Sequence, residues 1–196
     1  MGWRAVRRPA RRLPALPRLG VADTGLDAWW ARVNRREEIV DVAERLLERN
    51  GPNGVTMRQV AEQLGIQAPS LYKHVSGKAD IEVALQQRAL QRLTAALQPA
   101  EDLQALAAAY RRWALEHPRL YEFAARTPLT RDRIEPGLEV AAAAPLLRMT
   151  GGDQVGARAL WGIAHGLVDL ELADRFPADA DLDAVWARAV AAFNPS

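Results

Sequence analysis

The chain of 196 residues contains no cysteine, which excludes a disulfide framework, a thiolate metal site and a cysteine nucleophile. That absence also favours a reducing compartment, so a cytoplasmic location is expected. Serine and histidine are nearly as scarce: Ser70, Ser76 and Ser196 lie in no G-x-S-x-G arrangement, and His74, His117 and His165 form no H-E-x-x-H pair. With no P-loop or dinucleotide glycine motif either, no catalysis and no cofactor or metal are expected. No apolar run approaches the roughly 18 residues that a spanning helix needs, which argues against a membrane role.

Acidic residues are missing from the first 20 positions, "MGWRAVRRPARRLPALPRLG", where six arginines and three prolines gather without the apolar stretch of a signal peptide. Residues 1–36 hold nine arginines against Asp23 and Asp27, a net +7, so residues 37–196 carry −5 of the total of +2. Residues 1–30 therefore read as a basic N-terminal extension. One reading is a disordered leader or sequence upstream of the true start. The other is a flexible arm adding salt-sensitive, sequence-blind affinity for phosphates.

What is abundant is alanine, leucine and charge at helical spacing, with 49% hydrophobic and 26% charged residues. No segment alternates with period two and no repeat is visible, so the expected fold is all-α with about nine helices. In "NRREEIVDVAERLLERNG", Ile39, Val42, Ala43, Leu46 and Leu47 form one apolar stripe, and the "NGPNG" run after Arg49 ends the helix. "VTMRQVAEQLG" begins a second helix capped by Thr56, with Met57, Val60, Ala61 and Leu64 facing inward. Gly65 closes it. Directly after it "IQAPSLYKHV", residues 66–75, forms a third helix with Pro69 suited to its first turn and Ile66, Leu71 and Val75 as its apolar side. Three short helices with a tight turn between the last two make a helix-turn-helix arrangement spanning residues 31–80. Its outward face would show Gln67, Ser70, Lys73 and His74.

The segment "VTMRQVAEQLGIQAPSLYKHVSGKADI", Val55 to Ile81, resembles the DNA-binding domain of the TetR family of transcription regulators. The joined elements that carry the resemblance are a Thr capping the second helix, "VAEQLGI" before the turn, "LYKHV" in the third helix and Lys78 opening the fourth. The resemblance implies that Thr56, Tyr72 and Lys78 bind DNA phosphates, through hydroxyl donors and an ammonium. Arg58 becomes a candidate for a guanine edge, and Gln67, Ser70 and Lys73 for the remaining base contacts. Ala68 replaces a residue that is often long and polar, leaving only a methyl to meet thymine. Gln67 stands where a Ser or Thr cap is frequent, and Gly77 where a capping residue is frequent. His74 serves either DNA or the packing against the first helix.

Residues 81–196 are expected to form a helical effector-binding and dimerisation domain. The pattern places helices over Lys78–Leu97, Asp102–Glu116, a short one between Pro118 and Pro128, one ending at "MTGGD", then Asp153 to about Arg175 and Asp181–Phe193. "ALWGIAHGLVDLELADRF" together with "YRRWALEHPRLYEF" resembles the C-terminal domain of a TetR subgroup marked by Trp, three residues, then His-Gly, matched here by Trp161, His165 and Gly166. Its ligands are diverse, so it names no effector.

Gly162 and Gly166 lie four apart, beside a ridge of Leu160, Ile163, Leu167 and Leu170. This face and "LDAVWARAVAAF" would build half of a four-helix homodimer interface, the alternative being packing within one monomer. An unknown small-molecule effector is expected among Trp113, His117, Tyr121, Met149, Trp161 and His165, aromatic walls with a few polar groups. The leading expectation is a dimeric repressor on palindromic double-stranded DNA, released by that effector. The alternative is a sequence-tolerant nucleoid protein driven by the arginine arm.

Overall fold

The computed structural model describes residues 24–193; the basic arm of residues 1–20, and the two readings attached to it, fall outside them. Among the described residues the chain forms nine α-helices and no strand. They are α1 (Thr24–Asn50), α2 (Met57–Gln63), α3 (Ala68–Leu71), α4 (Lys78–Leu97), α5 (Leu103–Glu116), α6 (Pro118–Arg126), α7 (Leu138–Met149), α8 (Gln154–Leu172) and α9 (Leu182–Ala191), with a 3-10 turn at Pro52–Gly54. None of these helices is long and apolar enough to cross a membrane.

Helix starts follow local chemistry. Thr56, Asp102, Asp153 and Asp181 each accept a backbone N–H from the first turn of the helix they precede, at 3.2, 2.7, 2.9 and 3.0 Å. The turn after α2 needs its glycine: Gly65 has φ 66°, and the Ile66 N–H reaches back to the Ala61 carbonyl at 3.0 Å while Gly65 N–H meets Glu62.

The helix expected over residues 66–75 is shorter than its sequence pattern suggests. Regular α geometry stops at Leu71, and Tyr72 to His74 form a tightened turn, with both His74 N–H and Val75 N–H directed at the Leu71 carbonyl, at 2.8 and 3.0 Å. Two donors sharing one carbonyl cannot both continue an α ladder, so the rod ends as a turn pinned by the buried Leu71 and Val75. α8 likewise ends at Leu172 rather than Arg175: Asp174 takes φ 50°, and the Arg175 N–H bonds back to Leu170 at 2.9 Å.

The buried stripe of α1 (Ile39, Val42, Ala43, Leu46, Leu47) packs where its periodicity places it. One continuous core runs from it through Val60, Leu71 and Ile81 to Leu106, Trp113, Leu120, Val168 and Val190. α4 is the shared element, packing on α1, α5, α6 and α7. Its polar flank is zipped to α1: the Arg88 guanidinium meets Glu37 at 2.6 Å, Asp41 at 2.7 Å and Glu44 at 3.3 Å, and Arg92 meets Glu44 at 2.9 Å. Glu44 is itself buried, and these two arginines give its carboxylate oxygen its partners.

Candidate functional site

At one end of the molecule, α2 buries Val60 and Ala61 against α1 and so fixes the angle at which the next turn stands out. Leu71 and Val75 anchor that turn from within, and the positions between them are free. Thr56, Arg58, Gln67, Tyr72, Lys73 and Lys78 are exposed, while Ala68, Ser70 and His74 are half-buried. Tyr72 is the clearest case, an aromatic ring 58% exposed with its backbone held rigidly below it.

The nine residues expected at a DNA surface are therefore presented together, with three qualifications of chemistry. The Thr56 hydroxyl also donates to the Gln59 side chain at 2.8 Å while capping α2. Arg58 donates to Glu62 at 2.8 Å one turn on, so it must let go of that carboxylate to reach a base. His74 leans inward: its Nδ1 is buried without a partner, which leaves only part of the ring for solvent or DNA.

The junction between this turn and α4 is braced from α1. Arg36 donates to the His74 carbonyl at 3.4 Å and to both oxygens of Asp80, at 3.2 and 3.4 Å. Asp80 also accepts the Ser76 N–H at 3.0 Å, tying the residue before the Gly77 cap to the first turn of α4. Burial pushes the Asp80 carboxyl upward, but the hydrogen bonds and charges of Arg36, Ser76 and Arg133 outweigh it and hold the group below its ordinary value.

At the other end, α4 to α9 enclose a cavity of about 1070 Å³. Trp113, Tyr121, Trp161 and His165 line it, and so does Tyr110. His117 and Met149 do not. His117 sits at the α5–α6 junction with its ring 6.4 Å from that of Trp113, and Met149 packs against the core at the end of α7. The rings of the wall meet edge to face: Tyr110 and Trp113 each stand 6.3 Å from Tyr121, and Trp161 stands 4.8 Å from His165.

The Tyr121 hydroxyl lies 2.7 Å from His165 Nδ1 and 3.3 Å from the His165 carbonyl, joining α6 to α8. Burial pushes the Tyr121 hydroxyl up to about 12, and it pushes the His165 imidazole below its usual value against the opposing pull of Asp169. The Tyr110 hydroxyl and Trp113 Nε1 are buried with no hydrogen-bond partner, although Tyr121 and Trp161 come close enough to the Tyr110 hydroxyl to perturb its acidity.

Three other residues matter here. Gln86, in α4, is buried with both ends of its amide in use: its Nε2 donates to the Pro128 carbonyl at 3.0 Å and its Oε1 accepts from Thr130 N–H at 3.2 Å. Gln87 accepts the Glu135 N–H at 2.8 Å, so the segment after α6 is stapled along α4. Glu48, in α1, accepts the N–H groups of Arg119 and Leu120 at 3.2 and 3.0 Å, capping α6 from outside that helix. A glutamine on the apolar side of α4 was a readable signal for Gln86, and the i, i+3 spacing to Trp113 for Tyr110. Nothing local marks Glu48, whose partner is 72 residues away.

The outer face of α8 is apolar and uncovered. Val155 is 75% exposed, and Ala159, Gly162, Ile163, Gly166 and Leu170 continue the line at helical spacing. A Cβ added at Gly162 or Gly166 would meet nothing within 4 Å. The expected ridge divides here. Leu160 turns into the core and Leu167 is half-buried, whereas Ile163 and Leu170 share the outer face with the glycines. Trp186 and Val190 of α9 are buried in the chain's own core.

A braced, outward-facing helix-turn-helix joined by one long helix to a cavity-bearing helical body defines a DNA-binding regulator. The sequence profile of bacterial regulatory proteins of the tetR family matches residues 39–85, and that of the tetracyclin repressor-like C-terminal domain matches residues 103–193. The chain belongs to the TetR family of transcription regulators. It is 34% identical over 168 residues to an uncharacterized HTH-type transcriptional regulator of Mycobacterium tuberculosis, covering 77% of this chain and 76% of the relative. It is 46% identical over 55 residues to the tetracycline repressor protein class D of Escherichia coli, covering 28% of this chain and 25% of that one. The fold is shared with the crystal structure of a tetR-family transcriptional regulator from Streptomyces coelicolor, with TM-score 0.65 and 21% identity over 82% of this chain and 79% of that one.

Proposed function

We propose that the protein is a cytoplasmic homodimeric repressor that binds a palindromic operator and is released by a small organic effector. The observation that carries this reading is the placement of α4. Its first residue, Lys78, stands at the DNA-facing turn, and its later turns, from Gln86 to Leu97, form a wall of the cavity. Twenty residues span about 30 Å, so one rigid element belongs to both sites. An effector that prefers one setting of α4 shifts the population of the other end by its difference in affinity.

Thr56, Tyr72 and Lys78 serve phosphates, and Arg58, Gln67, Ala68, Ser70 and Lys73 face base edges. Dimerisation uses the bare face of α8 together with α9, where two glycines allow close backbone approach and exposed apolar side chains gain burial. Two symmetry-related turns then address major grooves about 34 Å apart or a multiple of it. Selection of bound oligonucleotides from a random duplex pool tests the reading. A palindromic motif, lost on replacing Tyr72 and Lys78 with alanine, is the expected result. Equal binding of every duplex, with a steep salt slope, would replace it with sequence-blind binding by the arginine arm.

A further inference from the structure

The cavity's unsatisfied chemistry narrows the effector, an inference that rests on the reading of this cavity as the effector site. Among the described residues, three buried side-chain polar atoms lack a hydrogen-bond partner, and two of them, the Tyr110 hydroxyl and Trp113 Nε1, belong to the cavity wall. Both residues are 6% exposed and sit three apart on α5, hence on one face of that helix. An indole N–H only donates, and a phenol donates readily. Buried donors left unpaired disfavour the protein without ligand, and an acceptor that reaches them removes that penalty.

The charged lining residues are Arg126, Arg131, Glu139, Arg158 and Asp169; four of them are exposed and Glu139 is half-buried. Arg126 faces Asp169 at 3.9 Å, Arg131 bonds Glu139 at 3.1 Å, and Arg158 bonds the amide of Gln154 at 3.3 Å. Asp169 is near enough to act on the acidity of Tyr110, Tyr121 and His165, so the carboxylate that borders the aromatic wall is negative and is paired with Arg126. Gln86 is fully engaged, and His165 is held neutral at pH 7 by its burial. An anionic ligand would lose its hydration beside the Asp169 carboxylate without gaining a free counter-charge.

We infer that the cavity takes an uncharged, flat aromatic molecule bearing a hydrogen-bond acceptor such as a ring ketone, which lies among the aromatic side chains and accepts from Tyr110 and Trp113. Aromatic walls favour such a ligand through edge and face contacts as well as area. Both donor atoms are themselves buried, so meeting the acceptor requires their rings to turn.

Three probes of nearly one shape separate the contributions: 9-fluorenone, fluorene, and 9-fluorenone-4-carboxylate. Titration of the full chain, without DNA, is followed by quenching of the wall tryptophans Trp113, Trp161 and Trp186, corrected for probe absorbance. Fluorenone is expected to bind at least about tenfold more tightly than fluorene, and the carboxylate more weakly than fluorenone. Y110F and W113F together should abolish the preference, so that fluorenone and fluorene bind the double variant equally. Equal binding of fluorene and fluorenone by the parent chain, tightest binding by the carboxylate, or a preference for fluorenone kept in the double variant would overturn the ligand class and leave an effector cavity standing. Failure of all three probes to bind would overturn the inference too. Loss of operator recognition would fall on the proposed function alone.

Discussion

Glu48 offers the sharpest test of how the DNA-facing end is tied to the cavity. His117 gives α6 no side-chain cap and Pro118 has no N–H, so the next free donors, on Arg119 and Leu120, depend on a carboxylate from α1. A hydrogen bond to a charged acceptor is worth about 1.5–3 kcal/mol when buried. Both bonds here are only partly shielded, which reduces each toward about 1 kcal/mol, and the helix dipole adds a few tenths. Glu48→Ala should therefore cost about 2 kcal/mol, and Glu48→Gln, which keeps one acceptor, about 1 kcal/mol. For a chain of this size about 1 kcal/mol moves Tm by roughly 2–4 °C, so circular dichroism melts should show a fall of about 4–8 °C for the alanine variant. Hydrogen exchange at the Arg119 and Leu120 amides should quicken in the same variant. A melt within about 1 °C of the parent, with unchanged exchange at those two amides, would show that α6 does not lean on α1.

Further outcomes follow from single features. Tyr110→Phe removes a buried hydroxyl that has no partner, so the protein without ligand should gain about 1 kcal/mol by urea unfolding; a loss of that size would mean the hydroxyl is satisfied. Gly162→Leu with Gly166→Leu fills open space in the single chain, so the helical spectrum should survive while sedimentation reports monomers and operator affinity falls; an unchanged dimer would move the interface elsewhere. His165 has its folded-state pKa below the ordinary 6.5, so the folded chain binds the proton less well than the unfolded one. Its contribution is fully present above about pH 6.5 and declines as pH falls below it, and His165→Gln should flatten that part of the stability profile.

Much of the fold was legible because its signals are local. The start of α4 at Lys78, the caps Asp102, Asp153 and Asp181, and the stripe of α1 each depend on residues within a few positions of one another. The exposed positions of the helix-turn-helix were readable because they are contiguous, from Thr56 to Lys78. The shortening of α3 at Leu71 was not, since it turns on two N–H groups competing for one carbonyl. In the cavity, Trp113, Tyr121, Trp161 and His165 were found by composition, and the same criterion drew in His117 and Met149, because a ring or thioether in a helix does not declare which neighbour it will face. Gln86 to Pro128 and Glu48 to Leu120 span 42 and 72 residues, and no pattern along the chain encodes such meetings.

The bare strip on α8 carries one more implication. Alanine, glycine and aliphatic side chains govern how near a companion can come, yet they contain no lettering by which one companion is told from another. In the proposed dimer, any discrimination between a twin and a cousin falls to the charged margin of that helix, where Arg158 and Asp169 stand exposed. Swapping the signs of those two residues in a co-expressed pair should sort mixed assemblies from pure ones without disturbing the strip itself.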